Sequence, residues 1–272
     1  MYALSAPPPT TVELEGAEYR LVRVFKHDFL AATCLYEAAG AAKVPSAGRP
    51  AKVVVKFLRM RPLLALPMGW AGRFLAEHEE HAYRALAGVE GIPRWLGRLG
   101  PAAFAVEYID STPLSDVGRP PAGFFDSLGR LFNEAHARGV AFGDANKRSN
   151  ILVGPGGRAF LIDFQLALRR RDDLPWPLGA ISRAAFRYMA GRDVYHVCKH
   201  KRRMSPHELT GDEMAVSRRR DPLHALHHRL VAPWRRLRRF VFQRLARAGL
   251  LTSPTEHIED PDQAEKFTLR KK

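Results

Sequence analysis

The chain is poor in cysteine and in long apolar runs, and each shortage excludes a class of protein. Cys34 and Cys198 are its two cysteines and stand far apart in 272 residues. They form no disulfide framework and no thiolate metal site, so reduced cytosolic thiols are expected. No run approaches the ~20 apolar residues of a membrane-spanning helix. The stretch from Met1 to Thr11 is Pro-rich and polar and lacks the apolar centre of a secretory signal. There is no internal repeat. There is no Gly-x-x-x-x-Gly-Lys-Ser/Thr run, which argues against a P-loop NTPase. His78-Glu79-Glu80-His81 brings two histidines close, but at i, i+3 rather than the i, i+4 of a zinc-peptidase helix, so a metallopeptidase is rejected. Acidic residues are also short: 28 Asp and Glu against 43 Lys and Arg, a net charge of +15. Such a balance suits anionic partners, yet nothing resembles a base-reading module, and nucleic acid is not an expected partner.

What is present concentrates in one segment. Phe142-Gly143-Asp144-Ala145-Asn146-Lys147-Arg148-Ser149-Asn150 reads as a loop, and Ile151-Leu152-Val153 as a short apolar strand. A turn rich in glycine (Gly154, Gly156, Gly157) leads to a second strand, Phe160-Leu161-Ile162, that ends in Asp163-Phe164-Gln165. Two paired strands with carboxylate and amide oxygens at their mouths suit a hard divalent cation, and Mg2+ commonly shares such ligands with substrate phosphates.

Upstream, Lys52-Val-Val-Val-Lys-Phe-Leu58 is a strand signal with a lysine inside it. A buried lysine is costly unless its charge is paired, so Lys56 wants a carboxylate or a phosphate. The following segment, Gly69 to Ala87, has Leu75, Ala82 and Leu86 on one helical stripe, and Glu79 falls on that stripe while Glu77 and Glu80 do not. Lys56 is the cation available to it. Farther on, Phe104 to Ile109 reads as a strand. Phe124 to Arg138 reads as a helix with Phe124, Leu128, Leu131, Phe132 and Ala135 on one face, ended by His136 as a structural cap.

Taken in order, these residues resemble the catalytic core of protein-kinase-like phosphotransferases, from about Tyr19 to Arg169. The resemblance implies an α+β, two-lobed protein-kinase-like fold, with a small antiparallel β lobe bearing one helix and a larger, mainly helical lobe. It implies ATP and Mg2+ as cofactors. Asp144 and Lys147 would be catalytic, with Asp144 orienting the acceptor hydroxyl. Asn150 and Asp163 would hold the metal. Lys56, positioned by Glu79, would meet the nucleotide phosphates, and Glu107 and Tyr108 would form the adenine-facing hinge. The pattern departs from the common one in its Phe-Gly-Asp lead-in, in one extra residue between Asp144 and Asn150, and in Gln165 where glycine is usual. The turn Phe25-Lys26-His27-Asp28-Phe29, between expected strands at Tyr19–Val24 and Leu30–Tyr36, contains no glycine, so Lys26 or His27 would meet phosphate by charge instead.

These details are similar to atypical bacterial kinases, either Ser/Thr protein-kinase-like proteins or lipopolysaccharide-core sugar kinases. The acceptor would be a protein or lipid-linked sugar hydroxyl. A pseudokinase that binds partners without catalysis is the competing class, favoured by the missing glycines and opposed by the intact Lys, Glu, Asp, Asn and Asp set. The expected organisation is a disordered segment at 1–17, an N-lobe at 18–108, a C-lobe at 109–250 and a tail at 251–272, with a flexible loop at 39–50. The basic C-terminal third offers a helix with Trp234, Leu237, Val241 and Leu245 on one face and Arg235, Arg236, Arg238, Arg239 and Arg247 around it. It reads first as a helix of the C-lobe and second as an anchor on an anionic membrane surface. His196 and His200 read as a helix-surface pair rather than a metal site. A cytoplasmic protein is expected, with a peripheral place on the inner membrane face as the alternative.

Overall fold

In the computed structural model, residues 3–39, 50–62, 69–219 and Arg244 are described. They fall into two compact units, Met1–Gly88 with Ile92–Ile109, and Val89–Gly91 with Asp110–Lys272. The expected flexible loop lies almost wholly outside the described residues, as do the Arg-rich helix around Trp234 and the tail at 251–272. No helix among the described residues is long and apolar enough to cross a membrane.

The first unit is an antiparallel sheet with one helix. Its strands are β1 (Thr11–Leu14), β2 (Ala17–His27), β3 (Ala31–Ala38), β4 (Lys52–Leu58), β5 (Trp95–Gly100) and β6 (Ala103–Glu107), in the order β1-β2-β3-β4-β6-β5. Helix α1 (Gly69–Ala85) lies between β4 and β5 in the chain. β-branched and aromatic residues at alternate positions give the sheet its buried face. Tyr19, Tyr36, Val53, Val55 and Ala105 all lie in one core cluster. The two buried tyrosines satisfy their hydroxyls on backbone carbonyls, Tyr19 at Pro50 (3.1 Å) and Tyr36 at Pro9 (2.7 Å).

The expectation of disorder at 1–17 is corrected here. Thr11–Leu14 pairs with Ala17–Arg20 as the edge strand, Ala3 is buried, and its N–H donates to the Asp28 carbonyl at 2.7 Å. Proline-rich composition did not prevent order, because Tyr36 and the sheet edge supply partners for backbone groups that water would otherwise take. The first turn is corrected too. β2 runs on through His27, with Lys26 opposite Thr33 and His27 opposite Ala32, so Phe25, Lys26 and His27 are strand residues. The turn itself needs no glycine. Asp28 Oδ1 accepts from the Leu30 and Ala31 N–H groups (2.8 and 2.9 Å), the local carboxylate–backbone turn that aspartate favours.

The second unit begins with β7 (Thr112–Pro113) and α2 (Phe124–Ala137). Then come β8 (Val140–Ala141), β9 (Ile151–Val153), β10 (Ala159–Leu161) and β11 (Leu168–Arg169), and finally α3 (Leu178–Met204) and α4 (Gly211–Arg218). The short strands form two small antiparallel groupings, β10-β9-β7 and β11-β8. Every apolar position assigned to α2 from its spacing is buried. Phe132, Phe142 and Phe164 continue that core in edge-on contacts, with ring centroids 6.0 and 5.2 Å apart. A capping box starts α4, where Thr210 Oγ1 accepts from the Glu213 N–H and Glu213 Oε2 accepts from the Thr210 N–H.

Gly72 shows how closely α1 approaches the end of β4. A Cβ there would stand 2.2 Å from the Arg59 carbonyl oxygen. Replacing a mid-helix glycine by alanine ordinarily stabilises by about 0.5–1 kcal/mol. Gly72→Ala is expected to do the reverse, with a loss of about 1–3 kcal/mol from forced backbone displacement. Urea unfolding of the two proteins gives the sign directly.

Candidate active site

Lys56 sits near the middle of β4, opposite Thr33 of β3 and Phe104 of β6, so its strand is flanked on both sides. Its Nζ donates to both carboxylate oxygens of Glu79, at 2.8 and 3.0 Å. Glu79 is fully buried and Lys56 nearly so. The neighbours of Glu79 are engaged elsewhere. Glu80 binds Arg84 and Arg98, while His78 stacks on Phe74. Among the described residues no group of three His, Cys, Asp or Glu side chains could hold a metal ion.

The pair sits where desolvation is costly, so removing either partner strands a charge. Lys56→Met and Glu79→Leu are each expected to lose roughly 3–5 kcal/mol, while the double mutant recovers much of that loss. Strictly additive losses in denaturant unfolding would contradict a coupled pair.

Lys26 stands apart from this arrangement. Its Nζ meets Asp28 Oδ2 at 2.5 Å on the exposed end of β2. Burial alone would raise the Asp28 carboxyl. The Lys26 ammonium and the Ala31 and Leu30 N–H groups outweigh it and hold the pKa below the ordinary value. The Lys26 charge expected to meet phosphate is paired with Asp28 here. Glu107 and Tyr108 lie at the end of β6. Glu107 reaches Arg94 at 3.9 Å, and the Tyr108 ring faces Phe25 nearly parallel, with centroids 6.5 Å apart.

In the second unit Asp144, Lys147 and Asn150 share one tight loop. The Lys147 N–H donates to the Asp144 carbonyl (3.0 Å), and the Asn150 N–H to the Lys147 carbonyl (3.1 Å). The extra residue between Asp144 and Asn150 is taken up by this winding, and the two side chains still meet. Asn150 Nδ2 donates to Asp144 Oδ2 at 2.9 Å. That contact assigns the amide nitrogen as donor and leaves Oδ1 as its acceptor atom. Pairing of β9 with β10, together with the Ile162 N–H donating to the Asn150 carbonyl (3.1 Å), sets Asn150 and Asp163 at the same end of the hairpin. The donors there are carboxylate and amide oxygens, the hard set that Mg2+ takes, so these residues fit that ion.

Asp163 has φ 68° and ψ 75°, a left-handed conformation that a non-glycine residue adopts at a cost of order 1–3 kcal/mol. Phe164–Leu166 then forms a single 3-10 turn, with Phe164 fully buried. Because the left-handed residue is the aspartate itself, position 165 needs no glycine, and Gln165 is accommodated. A glycine is needed instead in the other loop. Gly143 has φ +78°, and a Cβ on it would lie 2.4 Å from the Leu166 carbonyl oxygen. The Phe-Gly-Asp lead-in therefore reflects a close approach of the two motif-bearing loops.

The roles of three residues of the site were not legible in the sequence: Asp193 and His200 of α3, and His136 of α2. Asp193 is fully buried and accepts from the Phe142 N–H (2.7 Å), the Gly143 N–H (2.9 Å) and His136 Nε2 (3.1 Å). His136 does not cap its helix through its side chain, as its place had suggested; the ring binds Asp193, while the Arg138 and Gly139 N–H groups satisfy the helix end at the Glu134 and His136 carbonyls. His196 and His200 are buried rather than on the helix surface. His200 Nε2 lies 3.0 Å from the Ala145 carbonyl, which makes that nitrogen the proton-bearing one. One helix thus grips the Asp144 loop twice, at its amides and at a carbonyl. The sequence signal for this grip is an aspartate seven residues before a histidine, two turns apart on one face, and only the loop's position gives it meaning.

Burial lowers the His200 pKa to about 4, with Arg148, Lys199 and Arg203 also disfavouring its charged form against the raising effect of the Ala145 carbonyl. The unfolded chain takes up that proton near pH 6.5. Stability from the neutral ring is therefore complete above pH 6.5 and declines as pH falls toward 4, at up to about 1.4 kcal/mol per unit. Unfolding measured across that window should be less steep in His200→Gln than in the wild type.

An antiparallel sheet bearing Lys56, a helix bearing its glutamate, a loop with Asp144 and Asn150, and a hairpin ending in Asp163-Phe164 are the α+β parts that the resemblance to protein-kinase-like proteins implied. No protein-family model matches the chain, and no curated protein matches it in sequence. Solved structures do match. The Rio2 kinase–ADP/Mg2+–phosphoaspartate complex from Chaetomium thermophilum aligns at 16% identity and a TM-score of 0.48, over 74% of this chain and 58% of that one. A second structure, of the Rio2 kinase from the same organism, aligns at 16% identity and a TM-score of 0.49, over 70% of this chain and 59% of that one. The chain thus spans less than two thirds of the length of either.

Proposed function

We propose that the protein is an ATP-dependent phosphotransferase that moves a phosphoryl group to an acceptor hydroxyl. The observation that carries this reading is the grouping of Asp144, Asn150 and Asp163. Asp144 is bonded to Asn150, and Asn150 shares one end of a hairpin with Asp163. Lys56, held by Glu79, contacts the nucleotide phosphates. Glu107 and Tyr108 face the base, and Lys147 assists beside Asp144. Asn150 and Asp163 would hold Mg2+, which would supply neutralisation of phosphate charge. Asp144 orients the hydroxyl and accepts its proton as the acceptor oxygen bonds to phosphorus and the bond to the ADP oxygen breaks. Such chemistry rests on positioning and preorganised charge, which the hydrogen bonds around Asp144 and Asp193 favour.

A pseudokinase that binds partners without catalysis is the competing reading. Gln165 and the glycine-free turn each have a local structural reason, and the polar set is intact. A cytoplasmic place and a Ser/Thr or sugar acceptor remain parts of this proposal.

Asp163→Asn keeps the size of the side chain and removes the charge that holds the cation. Mg2+-dependent nucleotide binding and turnover are expected to fall by a factor of about 100 or more, with the far-ultraviolet circular dichroism unchanged. Equal Mg2+-ATP affinity and equal turnover in the mutant would overturn the metal assignment. A wild-type chain that binds no nucleotide with or without Mg2+ would overturn the kinase reading.

A further inference from the structure

The N-terminal half of α3 is apolar on its outward side. Its buried residues there are Gly179, Phe186 and Asp193. Leu178, Ile181, Ala185 and Tyr188 recur at helical spacing on another face, and all are exposed, Leu178 at 53% and Ile181 at 60%. Ala184 and Gly191 extend that face, and a Cβ on Gly191 would meet nothing. Trp176 stands two residues ahead of Leu178 and is 86% exposed. A surface helix ordinarily turns polar residues to water. A contiguous apolar face turned outward instead marks a surface that docks on something.

The charges around the face have one sign. From Leu174 to Arg192 the chain has no Asp or Glu. Arg183 and Arg187, one turn apart, border the apolar face along one edge and are exposed. Among the described residues neither meets a carboxylate. Arg170 and Arg171 lie against the same turns of the helix. The Arg170 guanidinium stands 5.6 Å from the centre of the Phe186 ring, and the Arg171 N–H donates to Ser182 Oγ at 2.9 Å. Their side chains meet Asp172 and Asp173. A second copy would set a like group of arginines against this one, on a chain of net charge +15. Anionic head groups over hydrocarbon offer each part its complement, because the apolar side chains enter the interface while the arginines reach the head groups. Tryptophan and tyrosine are the residues that favour that boundary.

We propose that the outward face of α3, from Leu178 to Tyr188 with Trp176 ahead of it, docks on an anionic lipid bilayer. These residues precede the Arg-rich stretch around Trp234 in the chain, and the inference stands apart from the phosphotransferase reading. Asp193, on the inward side of the same helix, holds the backbone just before Asp144. One helix thus carries both the docking face and the grip on the loop.

The test places an environment-sensitive dye on the full-length chain through Ile181→Cys. Cys34 and Cys198 are buried, and burial raises both thiols above their ordinary pKa, so they react slowly with the label. Asn133→Cys, exposed on α2, carries the dye as the control. The vesicles are phosphatidylcholine alone, and phosphatidylcholine mixed equally with phosphatidylglycerol. Dye at 181 is expected to shift blue and brighten about twofold or more on the mixed vesicles only, with dye at 133 unchanged. The response should fade with added salt, because head-group attraction is screened. It should be lost in the double mutant Arg183→Glu, Arg187→Glu, and weakened in Trp176→Ser, which adds no charge. Circular dichroism confirms that each variant is folded. No response at 181, whether or not the chain sediments with the vesicles, overturns the proposal. So does an equal response at 133 or an equal response in every variant. A response without vesicles that grows with protein concentration and with salt also overturns it and assigns the face to a second copy.

Discussion

Asp193 is the group on which the second unit depends. A fully buried carboxylate requires several donors, and here two are the backbone amides of Phe142 and Gly143 and the third is an imidazole nitrogen. The requirement works in both directions. The amides would be costly to bury without the carboxylate, and the carboxylate would be costly to bury without the amides. The backbone just before Asp144 is thereby fixed by a residue some fifty positions away in the chain. His200 then fixes the backbone just after Asp144. A loop gripped on both sides by one helix holds its side chains with little freedom, which positioning chemistry demands.

The same rule governs the other buried charges. Lys56 meets both oxygens of Glu79, and Lys201 meets Asp126 and Glu213. Each joins elements that hydrophobic packing alone would leave free to slide. Such pairs add little to stability against an apolar substitute, but they are intolerant of losing one member. The structure uses them to set which helix lies against which strand or neighbouring helix. It leaves the bulk of cohesion to the tyrosine and valine core of the sheet and to the phenylalanine contacts beneath the loop.

Much of the fold was legible because its signals are local. A β-branched run gave β4 with its stated ends, the apolar spacing gave α1 and α2 to within two residues, and an acidic residue on an apolar stripe named Glu79 as the partner of Lys56. Order at the N-terminus and the extension of β2 were not legible. They depend on a tyrosine hydroxyl and a sheet edge supplied by distant residues. The roles of His136, Asp193 and His200 were hidden for the same reason, since each acts on backbone atoms, which carry no sequence signature.

The sequence by itself determined which residues carry charge, which faces are apolar, and that a lysine, a glutamate, an asparagine and two aspartates occur in a meaningful order. Periodicity and burial cost follow from side-chain chemistry alone, so the order of residues is enough to reveal them. Only the tertiary structure decided that Asn150 reaches Asp144 across an extra residue, and that Gly143 rather than position 165 needs the freedom of glycine. It also decided that α3 is a polar clamp on the Asp144 loop. Those outcomes depend on how closely two segments of backbone approach each other, and that distance is set by the packing of the whole unit.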